Sequence, residues 1–217
     1  MDVILEFLKN LTDPQWIVDH GGLFFVLFII FAESGLFFGF FLPGDSLLFI
    51  AGMVLANSLY PFDNAIVNLI FWIITIGLGG IIGNYVGYWF GKKSGDFLLQ
   101  RKDTFFFKKK HIYQAKEFYD KKGGVAIILA RFIPIVRTFV PIVAGLVKME
   151  FKKFSLYNIV GGFLWTSLII TVGYLLGENV WVKENLEKIL IGIILISVAP
   201  VFFKIIQSKF KKQPATP

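Results

Sequence analysis

Two arginines lie inside an apolar run, residues 123–147, that contains no other charged residue. These residues, Arg131 and Arg137, share the run with Pro134 and Pro141. An arginine at bilayer depth is costly, so it is retained where it lines a cavity or meets an anion. Proline at that depth implies non-helical backbone, which must be buried in protein or face water. The run therefore predicts a re-entrant hairpin, broken at both prolines, with two guanidinium groups near its tip.

Composition indicates an all-α integral membrane protein, with residues 1–217 forming a single membrane domain. Hydrophobic residues make up 56% of the chain, and 26 residues are Phe, which is too apolar for a soluble domain of this size. The chain contains no Cys, and neither His20 nor His111 has metal-ligand spacing or a partner carboxylate or serine at motif spacing. We therefore expect no metal, no cofactor and no enzymatic activity.

A second broken segment lies in the first half of the chain. Residues 21–62 are apolar but are interrupted by Glu33 and by the turn that Pro43, Gly44 and Asp45 form. Two apolar arms with a polar tip are typical of a hairpin. We therefore predict a first re-entrant segment that breaks at Pro43 and Gly44.

Uninterrupted apolar stretches predict the transmembrane helices. Residues 65–91 are long enough, at ~1.5 Å per residue, to cross a ~30 Å hydrocarbon core, and residues 154–177 contain no charge. A C-terminal transmembrane helix is predicted at residues 188–206. Glycine at helical spacing allows another helix to approach closely. The glycines expected to serve helix packing are Gly79, Gly83, Gly87, Gly91, Gly173 and Gly177.

Charge in the connecting segments predicts the orientation of the chain. Residues 92–122 form a basic loop with ten Lys or Arg against four acidic residues, which places this loop in the cytoplasm by the positive-inside rule. The basic tail, residues 207–217, places the C-terminus on the same side. The side of the N-terminus stays open, because a hairpin at residues 21–60 leaves it outside, whereas a full span at 22–42 places it inside.

The order of these elements repeats. Repeat 1 covers about residues 1–95 and repeat 2 about residues 103–178. Each contains an amphipathic interfacial helix, at residues 2–13 or 112–122, followed by a broken segment and a span. Because one full span separates the broken segments, the repeats should have inverted topology, which is how many secondary transporters build a midplane site.

The two broken segments bring together opposite charges. Two guanidinium groups, those of Arg131 and Arg137, suit an anion such as phosphate better than lysines would, because they form bidentate hydrogen bonds. Carboxylates nearby should pair with the arginines in the empty site, and a proton on Glu33 or Asp45 should release one. Two alternatives stay open: the same four groups could serve a proton-coupled transporter of a small cation, or they could be buried salt bridges that only fix the fold.

Beyond this chemistry, an ordered set of motifs resembles the DedA family of bacterial membrane proteins, also called the SNARE-associated or VTT-domain superfamily. The resemblance covers roughly residues 21–177. It is carried by Glu33-Ser34-Gly35, Pro43-Gly44-Asp45, Ala51-Gly52, Gly83-Asn84-Tyr85-Val86-Gly87-Tyr88, Arg131-Phe132-Ile133-Pro134-Ile135-Val136-Arg137, Gly145, Asn158, Gly162, Trp165 and Gly173-Tyr174.

The resemblance implies two opposed re-entrant hairpins and a flippase or scramblase that moves lipids across the bacterial cytoplasmic (inner) membrane. The implied partners are protons and undecaprenyl phosphate or a phospholipid. Homo-oligomers are left open, and nucleic-acid binding is not expected, because the basic loop is short and tethered to the membrane. The family's essential acidic pair falls on Glu33 and Asp45, and its essential arginine pair on Arg131 and Arg137. Asp45 stands where many members have Glu, which keeps the charge and shortens the reach.

Overall fold

A computed structural model describes residue 16 and residues 22–35, 44–57, 61–100, 124–186, 188–190 and 192–193, without the side chains of 96–100, 134 and 135. Several predicted features lie outside these residues. They are the two interfacial helices at 2–13 and 112–122, the Pro43 break, the basic tail at 207–217 and most of the C-terminal helix at 188–206.

The regular elements in the described part of the chain are all helices, as predicted. They are α1 (Gly22–Gly35), α2 (Gly44–Ala56), α3 (Ala65–Gln100), α4 (Val125–Ala130), α5 (Pro134–Leu146), α6 (Phe151–Leu176) and α7 (Val180–Glu184).

The two long helices, α3 and α6, have the length and hydropathy of transmembrane helices. Their apolar segments reach mean hydropathies of 2.3 and 1.9. Large apolar side chains are exposed along one face of each helix. Such a surface favours aggregation in water, whereas it is compatible with contact to lipid chains. Examples are Ile70, Ile74, Leu78 and Ile82 on α3, and Leu164, Leu168, Val172 and Leu175 on α6.

Helix α3 is longer than its apolar sequence predicts. It continues to Gln100 rather than ending near Gly91, so residues 92–100 of the predicted basic loop are helical. Its start is fixed by Asn64, whose side-chain oxygen accepts hydrogen bonds from the backbone N–H groups of Ile66 and Val67 at 2.9 and 3.1 Å. This is an N-cap, which satisfies donors that the first turn of a helix leaves unpaired.

Short helices pack on these two spans in an exchanged pattern. Helices α1 and α5 pack on α3, whereas α2 and α4 pack on α6, and the two spans also contact each other. Helices α1 and α2 have 14 and 13 residues, which is ~20 Å of helix and shorter than the hydrocarbon core. Each span therefore carries one short helix from either half of the chain.

The break between α4 and α5 lies at residues 131–133, immediately before Pro134, which begins α5. Proline is tolerated in the first turn because its missing N–H would be unpaired there in any case. The prediction that Pro141 also breaks the segment is wrong, since α5 continues through it to Leu146. Pro141 packs on α3 at Gly87, where an added Cβ would lie 3.3 Å from the proline Cβ.

Glycine contacts hold the short helices close to the spans, as the glycine stripe predicts. On α3, an added Cβ at Gly91 would overlap the carbonyl oxygen of Ile142, and one at Gly79 would overlap the Leu27 side chain. On α6, an added Cβ at Gly173 would overlap the carbonyl oxygen of Phe49. The remaining predicted packing glycines also meet a neighbouring helix: Gly83 meets α1, Gly87 meets α5, and Gly177 meets α2.

Candidate functional site

Three of the four predicted charged residues meet where α1, α2 and α5 converge. The Arg137 guanidinium donates through Nη2 to Glu33 Oε1 and through Nη1 to Asp45 Oδ1, the latter at 2.5 Å. Glu33 is 3% exposed, Arg137 is 9% exposed and the Asp45 side chain is 16% exposed. The planar fork of arginine thus bridges two carboxylates from different helices. We call Glu33, Asp45 and Arg137 the ion triad.

Trp165 of α6 closes one side of the ion triad. Its indole Nε1 donates to Asp45 Oδ1 at 3.0 Å, and Arg137 Cζ lies 4.6 Å from the centre of the ring system. Trp165 is 2% exposed. Its edge therefore binds the acid while its face binds the cation, in a cation–π contact.

Glu33 lies against the start of α2. A Cβ added at Gly44 would overlap Glu33 Oε2, so glycine is required for this approach. The same oxygen is buried and meets no side-chain donor of the described residues, while the backbone N–H of Gly44 faces the carboxylate. One oxygen of this carboxylate is thus paired with arginine and the other is not.

Arg131, which was predicted to share the site, lies in a separate polar cluster between α3 and α6. Its Nη2 donates to Asn158 Oδ1 at 2.5 Å, and Asn158 Nδ2 donates to the carbonyl oxygen of Ile81 at 3.1 Å. With the Asn84 amide oriented to suit its neighbours, Arg131 Nη2 also donates to Asn84 Oδ1 at 2.7 Å, and Asn84 Nδ2 donates to the Ser34 carbonyl at 3.2 Å. We call Arg131, Asn84 and Asn158 the arginine–amide cluster.

Glycines make room for the Arg131 guanidinium between the two spans. A Cβ added at Gly80 of α3 would lie 3.6 Å from Nη1, and one at Gly162 of α6 would lie 3.3 Å from Nη2. Arg131 itself is 4% exposed. The close approach of two glycine-bearing helices thus encloses a cation.

The two arginines differ in the negative charge that surrounds them. No carboxylate in the described part of the chain forms an ion pair with Arg131, and its buried Nε has no hydrogen-bond partner there. The prediction that the carboxylates pair with the arginines is right for Arg137 and wrong for Arg131, because the Arg137 fork takes both acids. A buried cation without a counter-ion is costly.

The neutral partners of these charges belong to the set of residues that carries the family resemblance, but the sequence assigned them no role. Asn84 and Asn158 lie within the apolar spans and are buried, and Trp165 lies two turns after Asn158 on α6. A polar amide inside a transmembrane helix is itself a signal, because an unpaired one would be costly in hydrocarbon. That signal would have indicated a buried polar partner, without identifying it as Arg131.

The arrangement can accommodate an anion and a proton together. With its side chains ionised, the ion triad carries one net negative charge and Arg131 one positive charge. A proton on the triad neutralises it and leaves Arg131 to balance an incoming monoanion. Groups of acidic or histidine side chains that could hold a metal ion do not occur in the described residues.

Comparison with known proteins places these residues in a family. The family model described as the VTT domain matches residues 42–175. The chain is 38% identical over 211 residues to protein DedA of Escherichia coli (strain K12), covering 96% of this chain and 93% of the relative.

Two further relatives are membrane proteins by name. An uncharacterized membrane protein of Mycobacterium leprae (strain TN) is 34% identical, covering 92% of this chain and 89% of its own. The inner membrane protein YqjA of Escherichia coli (strain K12) is 29% identical and covers 92% of both chains. No solved structure matches the chain. The extent of these matches shows that the chain belongs to the VTT-domain family, the DedA family of membrane proteins.

Proposed function

We propose that this protein moves a phosphate-bearing lipid, such as undecaprenyl phosphate or a phospholipid, across the cytoplasmic membrane in exchange for or together with protons. The lipid phosphate binds at Arg131, and the apolar tail stays in the bilayer. The activity is transport and not catalysis.

One observation carries the proposal: the Arg131 guanidinium is enclosed between two transmembrane helices and held by the neutral amides Asn84 and Asn158. A structural role would favour a carboxylate partner, because a buried charge is stabilised mainly by an opposite charge. Amides hold the guanidinium in position without neutralising it. The cation is therefore available to a phosphate, for which arginine is well suited by geometry.

The ion triad supplies the coupling to protons. Arg137 is held by both carboxylates. A proton on Glu33 or Asp45 weakens one arm of this bridge, and Arg137 can then contribute to phosphate binding beside Arg131. Because phosphate brings a negative charge and the proton a positive one, the site stays close to neutral throughout, which limits the cost of charge in a low-dielectric region.

We further propose the architecture that this mechanism needs. Helices α1 and α2 form one re-entrant hairpin and α4 and α5 the other, in an inverted repeat whose halves exchange short helices between α3 and α6. The exchanged packing and the short lengths of α1 and α2 support this. The chain then crosses the inner membrane several times, with the C-terminus in the cytoplasm, as the basic tail favours.

A proton-coupled transporter of a small cation is the competing function. Both acids that would bind such a cation are occupied by Arg137, so a cation would first have to displace a bidentate guanidinium. This occupation favours the lipid phosphate.

Reconstitution into liposomes separates the two functions. Purified protein should move a fluorescent phosphate-bearing lipid between leaflets, without flux of sodium or potassium, and Arg131→Ala should abolish this movement. Arg131→Lys should restore it only in part, because a point charge does not reproduce the planar fork. Lys152→Ala removes an exposed positive charge at the start of α6 and serves as the control. Cation flux without lipid movement would contradict the proposal.

A further inference from the structure

The ion triad holds its two carboxylates unequally. Asp45 Oδ1 accepts hydrogen bonds from both Arg137 Nη1 and Trp165 Nε1, at 2.5 and 3.0 Å. Glu33 accepts from Arg137 through Oε1, while its buried Oε2 meets no side-chain donor of the described residues and lies against the backbone at Gly44. Hydrogen bonds to the ionised form of a carboxylate favour that form. The indole N–H is thus a side-chain donor that Asp45 has and Glu33 lacks, and Glu33 is also the more deeply buried acid, at 3% exposure against 16%.

The indole is fixed in place by contacts on two sides. Its ring lies beneath the Arg137 guanidinium, with Cζ 4.6 Å from the ring centre, and the side chain is 2% exposed. A large aromatic side chain in this position has little freedom to turn away from Asp45. Trp165 therefore fixes the distance between the acid at its edge and the cation at its face.

The charged groups that form ion pairs at this site, among the described residues, are Arg137 from α5 and the two carboxylates from α1 and α2. Helix α6 contributes the uncharged Trp165, and α3 carries no charged residue before Lys92. Arg131, at the end of α4, is held by the amides of α3 and α6 and lies near enough to Arg137 for the two charges to interact.

We infer that Trp165 is the positioning residue that keeps Asp45 ionised against Arg137 and thereby directs the coupling proton to Glu33. The inference rests on the proposed function, because it assigns the proton of that transport cycle to one of two acids. Protonation of Glu33 releases the Nη2 arm of Arg137, while the Nη1 arm stays on Asp45. Arg137 is then only half released, and it turns toward the phosphate about an anchored end.

Infrared titration of the purified protein tests the inference in the absence of transported lipid. Protonated carboxyl groups give a carbonyl stretching band that ionised ones lack. In the wild type, one buried carboxyl should titrate; Glu33→Gln should remove its band, and Asp45→Asn should leave it.

Trp165→Phe retains the aromatic face under Arg137 and removes the N–H donor. The ionised form of Asp45 then loses one hydrogen-bond donor, which favours its protonation. A second band should therefore appear, and Asp45→Asn in the same background should remove it. Trp72→Phe is the matched control, because Trp72 is as deeply buried but packs on Phe24 and Phe71.

Two results would overturn the inference: a wild-type band that belongs to Asp45, or a Trp165→Phe titration identical to that of the wild type. Size-exclusion profiles and melting temperatures matching the Trp72→Phe control establish that each variant is folded. The proposed function fails separately, through the absence of lipid movement in liposomes, because the infrared assay needs no lipid substrate. In liposomes, Trp165→Phe should broaden the pH profile of transport, whereas a purely structural role would lower the rate at every pH alike.

Discussion

Arg131 and Arg137 are six residues apart in one short segment, yet their surroundings differ in kind. Arg137 is neutralised by two carboxylates, whereas Arg131 is held by amides alone among the described residues. Removing one partner of a buried ion pair destabilises the fold, because the other charge is left unpaired in a low dielectric. A buried charge without an ion-pair partner lowers stability and is retained where function requires it.

Substitution of the two arginines by methionine should therefore have different effects on stability. Arg137→Met leaves two buried carboxylates without a cation and should destabilise the protein by about 3–5 kcal/mol. Arg131→Met should leave stability unchanged or raise it, because Asn84 can then turn and donate to Asn158 Oδ1, 2.8 Å away. Thermal unfolding of both variants in the same detergent measures this. A large loss of stability in Arg131→Met would mean that Arg131 is structural.

A carboxylate placed beside Arg131 should close the anion site without removing any residue of the cluster. Asn158→Asp is nearly isosteric and pairs directly with the guanidinium that Asn158 now contacts at 2.5 Å. Lipid transport should fall by at least about tenfold, which is the size of a charged hydrogen bond, while the protein stays folded. Asn57→Asp, the same change at the exposed end of α2, should transport normally. Unchanged transport by Asn158→Asp would exclude Arg131 as the phosphate site.

At this scale the sequence identifies the charged residues of the site but not their partners. Charges stand out against an apolar background, so Glu33, Asp45, Arg131 and Arg137 could be identified directly. Their partners depend on how four helices come together, and a hydropathy pattern contains no such information. Trp165 in particular is part of the family resemblance, but its contact with the site follows only from the hydrogen bond between its indole and Asp45.

At the scale of elements, close approach of backbones determines where the charges lie. Helix α5 carries Arg137 and is pressed onto α3, where an added Cβ at Gly145 would overlap the carbonyl oxygen of Tyr88. The Tyr88 hydroxyl in turn donates to the carbonyl oxygen of Met149, just after α5, at 2.5 Å. A shift of α5 away from α3 would therefore also move Arg137 relative to the acids of α1 and α2.

Gly145→Ala should separate α5 from α3 and lower both stability and transport. The added methyl group overlaps backbone atoms, which cannot move aside by a change of rotamer. Overpacking of this kind typically costs about 1–3 kcal/mol. Gly192→Ala is the control, because no described atom lies within 4 Å of its Cβ position. Gly145→Ala should have a lower melting temperature and a lower rate of lipid transport in liposomes. A variant as stable as the control would show that the helices tolerate a wider separation.

Helix positions could be predicted from the sequence because apolar runs and prolines mark them. The C-terminal end of α3 and the continuity of α5 through Pro141 could not. Helix α3 extends into basic residues up to Gln100, since lysine is a good helix former and an apolar run measures only the buried length of a helix. Helix α5 continues through Pro141, whose ring packs against α3 at Gly87. Both outcomes depend on a neighbouring helix, which a one-dimensional pattern does not include.

At the scale of the whole molecule, α6 has the length of a helix that crosses the membrane. Its 26 residues extend over ~39 Å, more than the hydrocarbon core. At its C-terminal end, Asn57 Nδ2 donates to the Gly177 carbonyl oxygen at 3.4 Å, and Lys183 Nζ donates to Asn57 Oδ1 at 3.2 Å. The end of α2 therefore lies at the opposite end of α6 from Lys152.

Single cysteines at Asn57 and at Lys152 should consequently react with a membrane-impermeant thiol reagent from opposite sides. The chain has no native cysteine, so labelling of intact cells and of inverted vesicles can be compared without background. Asn57→Cys should label from outside and Lys152→Cys from the cytoplasm. Labelling of both from one side would contradict the arrangement of α2 and α6 and, with it, the inverted repeat.

The central claim is that buried Arg131 binds lipid phosphate, and equilibrium binding to the purified protein tests it most directly. Undecaprenyl phosphate and undecaprenol share one chain and differ only in the phosphate. The wild type and Lys152→Gln should bind the phosphate form at least about tenfold more tightly than the alcohol, the strength of one charged hydrogen bond. Arg131→Gln should lose this preference while remaining folded. Equal affinity for the two lipids in the wild type, or an undiminished preference in Arg131→Gln, would contradict the account.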